Sequence, residues 1–236
     1  MNNETREKLL TISVATLATA LYKRGLRNQV IQGVRPLGYK GKNMVGPAFT
    51  LRYMPAREDR NQLVEFRNPA HPQRVAIETC PPGHVLVMDS RKDATAASAG
   101  DILVTRLMVR GGAGIVSDGG FRDAATIAEL DIPAYHTRPS SPTNLTKHEA
   151  IEINGPIGCG DAPVFPGDII VGDADCVIVI PAGIADDVAT EAVEMTAYED
   201  FVVEQVKAGQ TIIGLYPCTK EEHQTSFAEW RKKNNR

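Results

Sequence analysis

Apolar positions recur at helical spacing near both ends of the chain and in its middle, with alternating or continuous apolar runs between them. Residues 4–24 carry Leu9, Leu10, Ile12, Val14, Leu17, Ala18 and Leu21 in one stripe, which predicts an amphipathic helix stopped by Gly25. A loop spans Arg27–Gly41, and Met44–Tyr53 predicts a strand between Asn43 and Pro55. Ile77–Cys80 reads as a short apolar piece closed by Pro81-Pro82-Gly83, and His84–Asp89 as a buried strand.

From Ser98 to Leu130 the pattern changes quickly. Ile102, Leu103, Leu107 and Met108 predict a helix that opens at Gly100 and stops at Gly111-Gly112. Ala113–Ser117 is a five-residue strand emptying into the turn Asp118-Gly119-Gly120, and Arg122-Asp123 stands at the start of a second helix. Ile132–His136 continues the sheet, Pro139–Pro142 breaks the chain, and Leu145–Ile153, Val164–Val171 and Cys176–Ile180 predict strands. Ala182–Lys207 is a long helix with an acidic face bearing Glu191, Glu194, Glu199 and Glu204. In the tail, Phe227 and Trp230 at i and i+3 predict a short helix that docks on its own core or on a partner subunit.

Composition narrows the class. At 236 residues the chain is expected to form one domain (1–236), with an elaboration at 54–75 and a C-terminal extension at about 209–236. The 54–75 stretch is dominated by Arg57, Glu58, Asp59, Arg60, Glu65, Arg67 and Arg74; it is an elaboration near a site, a subunit contact or a surface loop. A net charge of −3 offers no electrostatic footprint for nucleic acid. Four scattered cysteines without a CxxC pair, a polar N-terminus and no apolar run of membrane-span length are expected of a soluble cytoplasmic protein. Gly111-Gly112-Ala113-Gly114 precedes a strand instead of following one, so a dinucleotide fingerprint fails its context.

The charge at the central turn carries the candidate chemistry. The backbone of Gly100, Asp101, Ile102 and Leu103, at a helix start, can hold a carboxylate or phosphate. Arg122 offers a planar fork to a carboxylate or developing enolate, and Asp123 is a hard oxygen ligand for Mg²⁺ or Mn²⁺. Taken singly, each has an ordinary alternative: Asp-Gly-Gly as a turn, Arg-Asp as a solvated cap. His136 at a strand end is a general base or a structural histidine, Asp173 and Asp175 are metal ligands or turn residues, and any acidic-face glutamate is a proton shuttle or plain solvated charge.

Asp101, twenty intervening residues and Arg122-Asp123 form a D-x20-R-D pattern that resembles the class II pyruvate aldolases of the 4-hydroxy-4-methyl-2-oxoglutarate aldolase type. These share a larger family with the regulator of ribonuclease activity A. Val14–Leu21 with Gly33–Leu37, Gly46–Thr50, Pro166-Gly167-Asp168 and Asp173–Pro181 resemble other family segments, although Cys176 stands where the family more often has glycine. Regulator-type members generally lack the second Asp, which is present here as Asp123. The resemblance implies an α/β fold of the swivelling β/β/α sandwich type, a homotrimer or homohexamer, and a metal-dependent lyase. That lyase would cleave or decarboxylate a small 2-oxo acid through a pyruvate enolate. Asp123 would hold Mg²⁺ or Mn²⁺, Gly100–Leu103 the carboxylate, and Arg122 the enolate. Asp101 would serve as base or orient water. A non-catalytic regulator that binds a ribonuclease, and a different lyase of sugar-acid catabolism, are the alternatives.

Overall fold

A computed structural model describes residues 1–236. In chain order the helices and strands are α1 (Asn3–Leu9), α2 (Val14–Lys23), β1 (Val30–Ile31), β2 (Arg35–Leu37), β3 (Met44–Pro55), α3 (Pro72–Thr79), β4 (Val85–Asp89) and β5 (Ala97–Ala99). Then come α4 (Asp101–Val109), β6 (Gly114–Ser117), β7 (Gly120–Phe121), α5 (Ala124–Glu129), β8 (Ala134–His136), β9 (Arg138–Pro139), β10 (His148–Ile153) and β11 (Ile157–Cys159). The chain closes with β12 (Ala162–Val164), β13 (Ile169–Gly172), β14 (Val177–Ile180), α6 (Ala185–Lys207) and α7 (Glu221–Asn234).

The main sheet is mixed, in the order β1-β14-β13-β3-β4-β6-β8-β2, with β10 also pairing β3. Its centre, β3-β4-β6-β8, is parallel, as helical crossovers on one face require. The twelve-residue β3 serves three neighbours: β13 along Met44–Pro47, β4 along Ala48–Arg52, and β10 from Leu51 to Pro55. Strand periodicity divides the core. Leu86 and Met88 face α3, α4 and α5 with Phe49, Leu51 and Ile115, while Val85 and Val87 face the β11–β12 hairpin. On β13 and β14, Ile169, Val171, Ile178 and Ile180 pack on α1, α2 and α6. This is the α/β sandwich with a curled mixed sheet that the resemblance implied.

Four expected stretches come out differently. The Arg27–Gly41 loop holds β1 and β2, which pair with β14 and β8. The 4–24 helix is two helices, because Ser13 adopts extended backbone and caps α2, its Oγ accepting the Thr16 N–H at 3.1 Å. Leu9, Ile12, Leu17 and Leu21 stay buried, so the apolar stripe survives the break. Ile77–Cys80 is the end of α3, a helix started by Pro72 at its first position. Val164–Val171 is interrupted: β12 ends at Val164, a turn through Gly167 (φ +88°) follows, and β13 begins at Ile169.

At the C-terminus α7 docks on its own chain. Phe227 and Trp230 lie 5.6 and 6.0 Å from the Phe201 ring of α6, and the Trp230 indole N–H donates to Glu204 at 2.7 Å. The other acidic-face residues are also engaged. Glu191 pairs with Lys23 and Arg24, Glu194 with Arg231, and Glu199 accepts from Thr16 and Tyr216. These contacts give each glutamate a structural role. No helix is long and apolar enough to cross a membrane.

Candidate active site

The three-stranded parallel sheet β5-β7-β9 is what joins Asp101 to Arg122 across the twenty residues between them. β5 runs directly into Gly100 and α4, and the Arg122 N–H donates to the Ala99 carbonyl at 3.0 Å. Arg122-Asp123 therefore leaves β7 beside the point where Gly100-Asp101 leaves β5. Gly100 allows the close approach: a Cβ there would stand 2.8 Å from Arg122 Cγ and 3.1 Å from Asp123 Oδ2. Beneath, Ser90, Ser98 and Ser117 form a buried hydroxyl cluster at 2.7–3.2 Å. The Ser98 carbonyl accepts from Tyr53 Oη and Gln73 Nε2, which pins β5 to β3 and α3.

An open cleft of about 180 Å³ lies over this junction, lined by Gly100, Asp101, Ile102, Leu103, Arg122 and Asp123. It also takes in Phe66, Gln73 and Arg74, from the 54–75 stretch that the sequence offered as an elaboration near a site, and Thr143 and Asn144, which the sequence pattern did not single out. Its size suits a small metabolite, since drug-sized ligands occupy roughly 300 Å³ or more.

Within the cleft, Asp123 precedes α5 in the left-handed conformation (φ +55°, ψ +35°) and makes no side-chain cap to that helix. Its carboxylate instead turns back, with Oδ2 accepting from Arg122 Nε at 3.1 Å. Both side chains are substantially exposed, 38% for Asp123 and 51% for Arg122, so a ligand can reach them. Asp101 Oδ1 accepts the Ile102 N–H at 2.8 Å, and the Leu103 N–H points at the Gly100 carbonyl at 3.1 Å. An incoming anion at the start of α4 therefore has to compete for the Ile102 and Leu103 amides.

Ile102 is 79% exposed and lies off the core face that Val104 and Leu107 form. No group of three or more His, Cys, Asp or Glu side chains is gathered to hold a metal ion. The donors that the cleft does offer are the carboxylates of Asp101 and Asp123. One or two hard carboxylates, with ligand oxygens and water completing the shell, is the arrangement that suits Mg²⁺.

Other candidates fall outside this cleft. His136 is buried, stacked on Phe121 at 5.5 Å, and its Nδ1 accepts the Phe121 N–H at 3.3 Å. Burial pushes it down to about 4, so it is neutral near pH 7 and supports β7 from behind. Asp173 accepts the N–H groups of Val14, Asp175 and Cys176, tying α2 to the β13–β14 turn. Asp118, an unremarked turn residue in the sequence, is a buried hub that accepts from the N–H groups of Ser90, Lys92 and Gly160. Burial raises its pKa in spite of those donors.

Comparisons with known proteins bear on the family and the fold. The signature of the RraA-like family (Aldolase/RraA) matches residues 14–179. A Halalkalibacterium halodurans protein, provisionally named a 4-hydroxy-4-methyl-2-oxoglutarate aldolase, is 34% identical over 190 residues, which span 80% of this chain and 82% of that protein. Among solved structures, Streptomyces coelicolor RraAS2, described as an unusual member of the RNase ES inhibitor RraA protein family, superposes with a TM-score of 0.75 at 30% identity. That match covers 85% of this chain and 96% of the other. An uncharacterized Pseudomonas syringae protein shares the fold, with a TM-score of 0.77 at 21% identity, over 92% of this chain and 98% of that one. The chain belongs to the RraA-like family, which includes both catalytic aldolases and non-catalytic regulators.

Proposed function

We propose that this protein is a divalent-metal-dependent carbon–carbon lyase that releases pyruvate from a small 2-oxo acid, of the 4-hydroxy-4-methyl-2-oxoglutarate aldolase or oxaloacetate decarboxylase type. The observation that carries the reading is that the Asp123 carboxylate does not cap its helix but pairs with Arg122, in the cleft that Asp101 also lines. A cap residue in the left-handed region that does not cap is an outlier of the kind found at functional sites. A surface that only binds a protein gives no reason for it.

Asp123, with water and substrate oxygens completing the shell, would hold Mg²⁺ or Mn²⁺, which would supply Lewis-acid polarisation of the substrate's 2-oxo group. The Arg122 guanidinium neutralises the negative charge that grows on the C2 oxygen as the C3–C4 bond breaks. In the retro-aldol direction, Asp101 or a water it orients takes the proton of the 4-hydroxyl. The C3–C4 electron pair then passes into the pyruvate enolate, and a carbonyl compound leaves. In decarboxylation the same pair arrives as CO₂ leaves, with no 4-hydroxyl proton to remove. Protonation at C3 gives pyruvate in both cases. Residues Gly100–Leu103 hold the 1-carboxylate, at the cost of the local bonds to the Ile102 and Leu103 amides.

The exposed Ile102, Val109, Leu63 and Val64 near this region support a cleft completed between copies of the chain, in a homotrimer or homohexamer. We read the enzyme as cytoplasmic. The variant Asp123→Asn tests the assignment: it should lose at least roughly a hundredfold in metal-dependent turnover while keeping its melting temperature and assembly state. An active Asp123→Asn enzyme indifferent to chelation contradicts the mechanism.

A further inference from the structure

A second cavity, of about 340 Å³, opens at the edge of the main sheet where β3, β6 and β8 begin. It shares no lining residue with the cleft, although α5 runs between them: Asp123 before that helix lines the cleft, and Leu130 after it lines the cavity. Three pins hold the loop after β2, which forms one wall. Gly38 backs onto α5, where a Cβ would stand 2.4 Å from the Ala128 carbonyl oxygen. Lys40 Nζ donates to the Glu129 and Leu130 carbonyls at 3.2 and 2.8 Å, and Asn43 Nδ2 to those of Leu9 and Ile12 at 3.1 and 2.7 Å. The cavity is therefore formed before anything enters it, which spares a ligand the cost of ordering the loop.

Its lining is divided in chemistry. Val45, Ile132, Ala134 and Tyr135 are buried and, with Leu10 and Leu37, offer an apolar wall. The charged lining residues are Arg6, Lys40 and Lys42 against Asp131, three cations to one acid on a chain whose net charge is −3. Neither lysine has a carboxylate partner, and Arg6 reaches only Glu7, at 3.5 Å. We infer that this cavity is a second binding site, for a small carboxylic acid with an apolar body. The body covers the apolar wall while the carboxylate meets Arg6 and Lys42; a neutral or cationic molecule of the same shape forfeits the second contact. Such binding is independent of the reaction at Arg122 and Asp123.

Three probes with one carbon skeleton test this by calorimetry on the full chain at low salt, where exposed ion pairs are least screened. They are 3-phenylpropionate, 3-phenylpropan-1-ol and 3-phenylpropylamine. The wild type should bind the acid roughly tenfold more tightly than the alcohol, the combined worth of two or three exposed ion pairs. The amine should bind more weakly still. Lys42→Glu, at an exposed side chain, balances the lining charge and should abolish the preference. Arg6→Gln should reduce it and serves if the first variant does not fold. Arg122→Gln, which alters only the cleft, should leave it intact. Failure of the wild type to bind the acid, equal affinity for acid and alcohol, or a preference undiminished in Lys42→Glu and Arg6→Gln overturns the inference. So does a preference lost in Arg122→Gln, which would seat the acid in the cleft.

Discussion

At the scale of single residues, the candidate site depends on what is missing at Gly100. Its hydrogen faces Arg122 at a distance no side chain tolerates, so Gly100→Ala should push Arg122 out of the cleft without disturbing either sheet. The expected result is a loss of roughly tenfold or more in kcat/KM, as for other small misplacements of a catalytic group, with a melting temperature close to wild type. His136 makes a separate prediction. The folded protein keeps it neutral down to about pH 4, whereas the unfolded chain protonates it near its ordinary value of 6.5. The unfolded state therefore takes up the proton first, and stability rises with pH across that window and levels off above it. Burial lowers His71 and His148 in the same direction. In His136→Gln, which keeps an acceptor for the Phe121 N–H but does not titrate, the gap between urea midpoints at pH 5 and pH 7.5 should narrow. An unchanged gap would place the pH dependence elsewhere. That Asp101, Arg122 and Asp123 belong to one place was legible through the resemblance their spacing carries, since a helix start, a glycine turn and an arginine–aspartate pair each have an ordinary reading alone. Arg74 was legible only as one charge among many in the 54–75 stretch, for which an elaboration near a site was one of three readings.

At the scale of elements, legibility followed whether burial and hydrophobicity coincided. The stripes of α2 and α6 and the apolar runs of β4, β6 and β14 face the core, and they read correctly. In α3 the buried face is Gln73, Ala76, Ile77 and Cys80, and its first member is an amide serving the Ser98 carbonyl. One polar residue on a core face was enough to hide the helix. The break between α1 and α2 was hidden for the opposite reason, since Ile12 keeps the apolar spacing intact across it although α1 ends at Leu9 and Ser13 starts α2. The aromatic spacing in α7 was read as a docking signal, and the contact is with α6 of the same chain. Trp230→Ala removes that ring and the bond to Glu204, and should lower unfolding free energy by about 1–3 kcal/mol. Pyruvate-forming activity per folded molecule should be unaffected, because α7 lines no part of the cleft.

At the scale of the whole molecule, the sheet acts as the positioning device. Parallel strands β3, β4, β6 and β8 carry a rigid core, and the small β5-β7-β9 sheet gathers two helix starts at one cleft, with a buried serine cluster bonded behind it. Such a frame keeps an arginine and two carboxylates together in a small cleft without a dedicated metal cage. The most direct test of the central claim is pyruvate release, coupled to lactate dehydrogenase, from oxaloacetate and from 4-hydroxy-4-methyl-2-oxoglutarate, with Mg²⁺ and then with EDTA. The lyase reading predicts pyruvate from at least one substrate, above the metal-catalysed background and lost on chelation and in Asp123→Asn. Release at the background rate from both substrates, by a folded protein with Mg²⁺ present, would contradict it and favour a regulator built on the same frame.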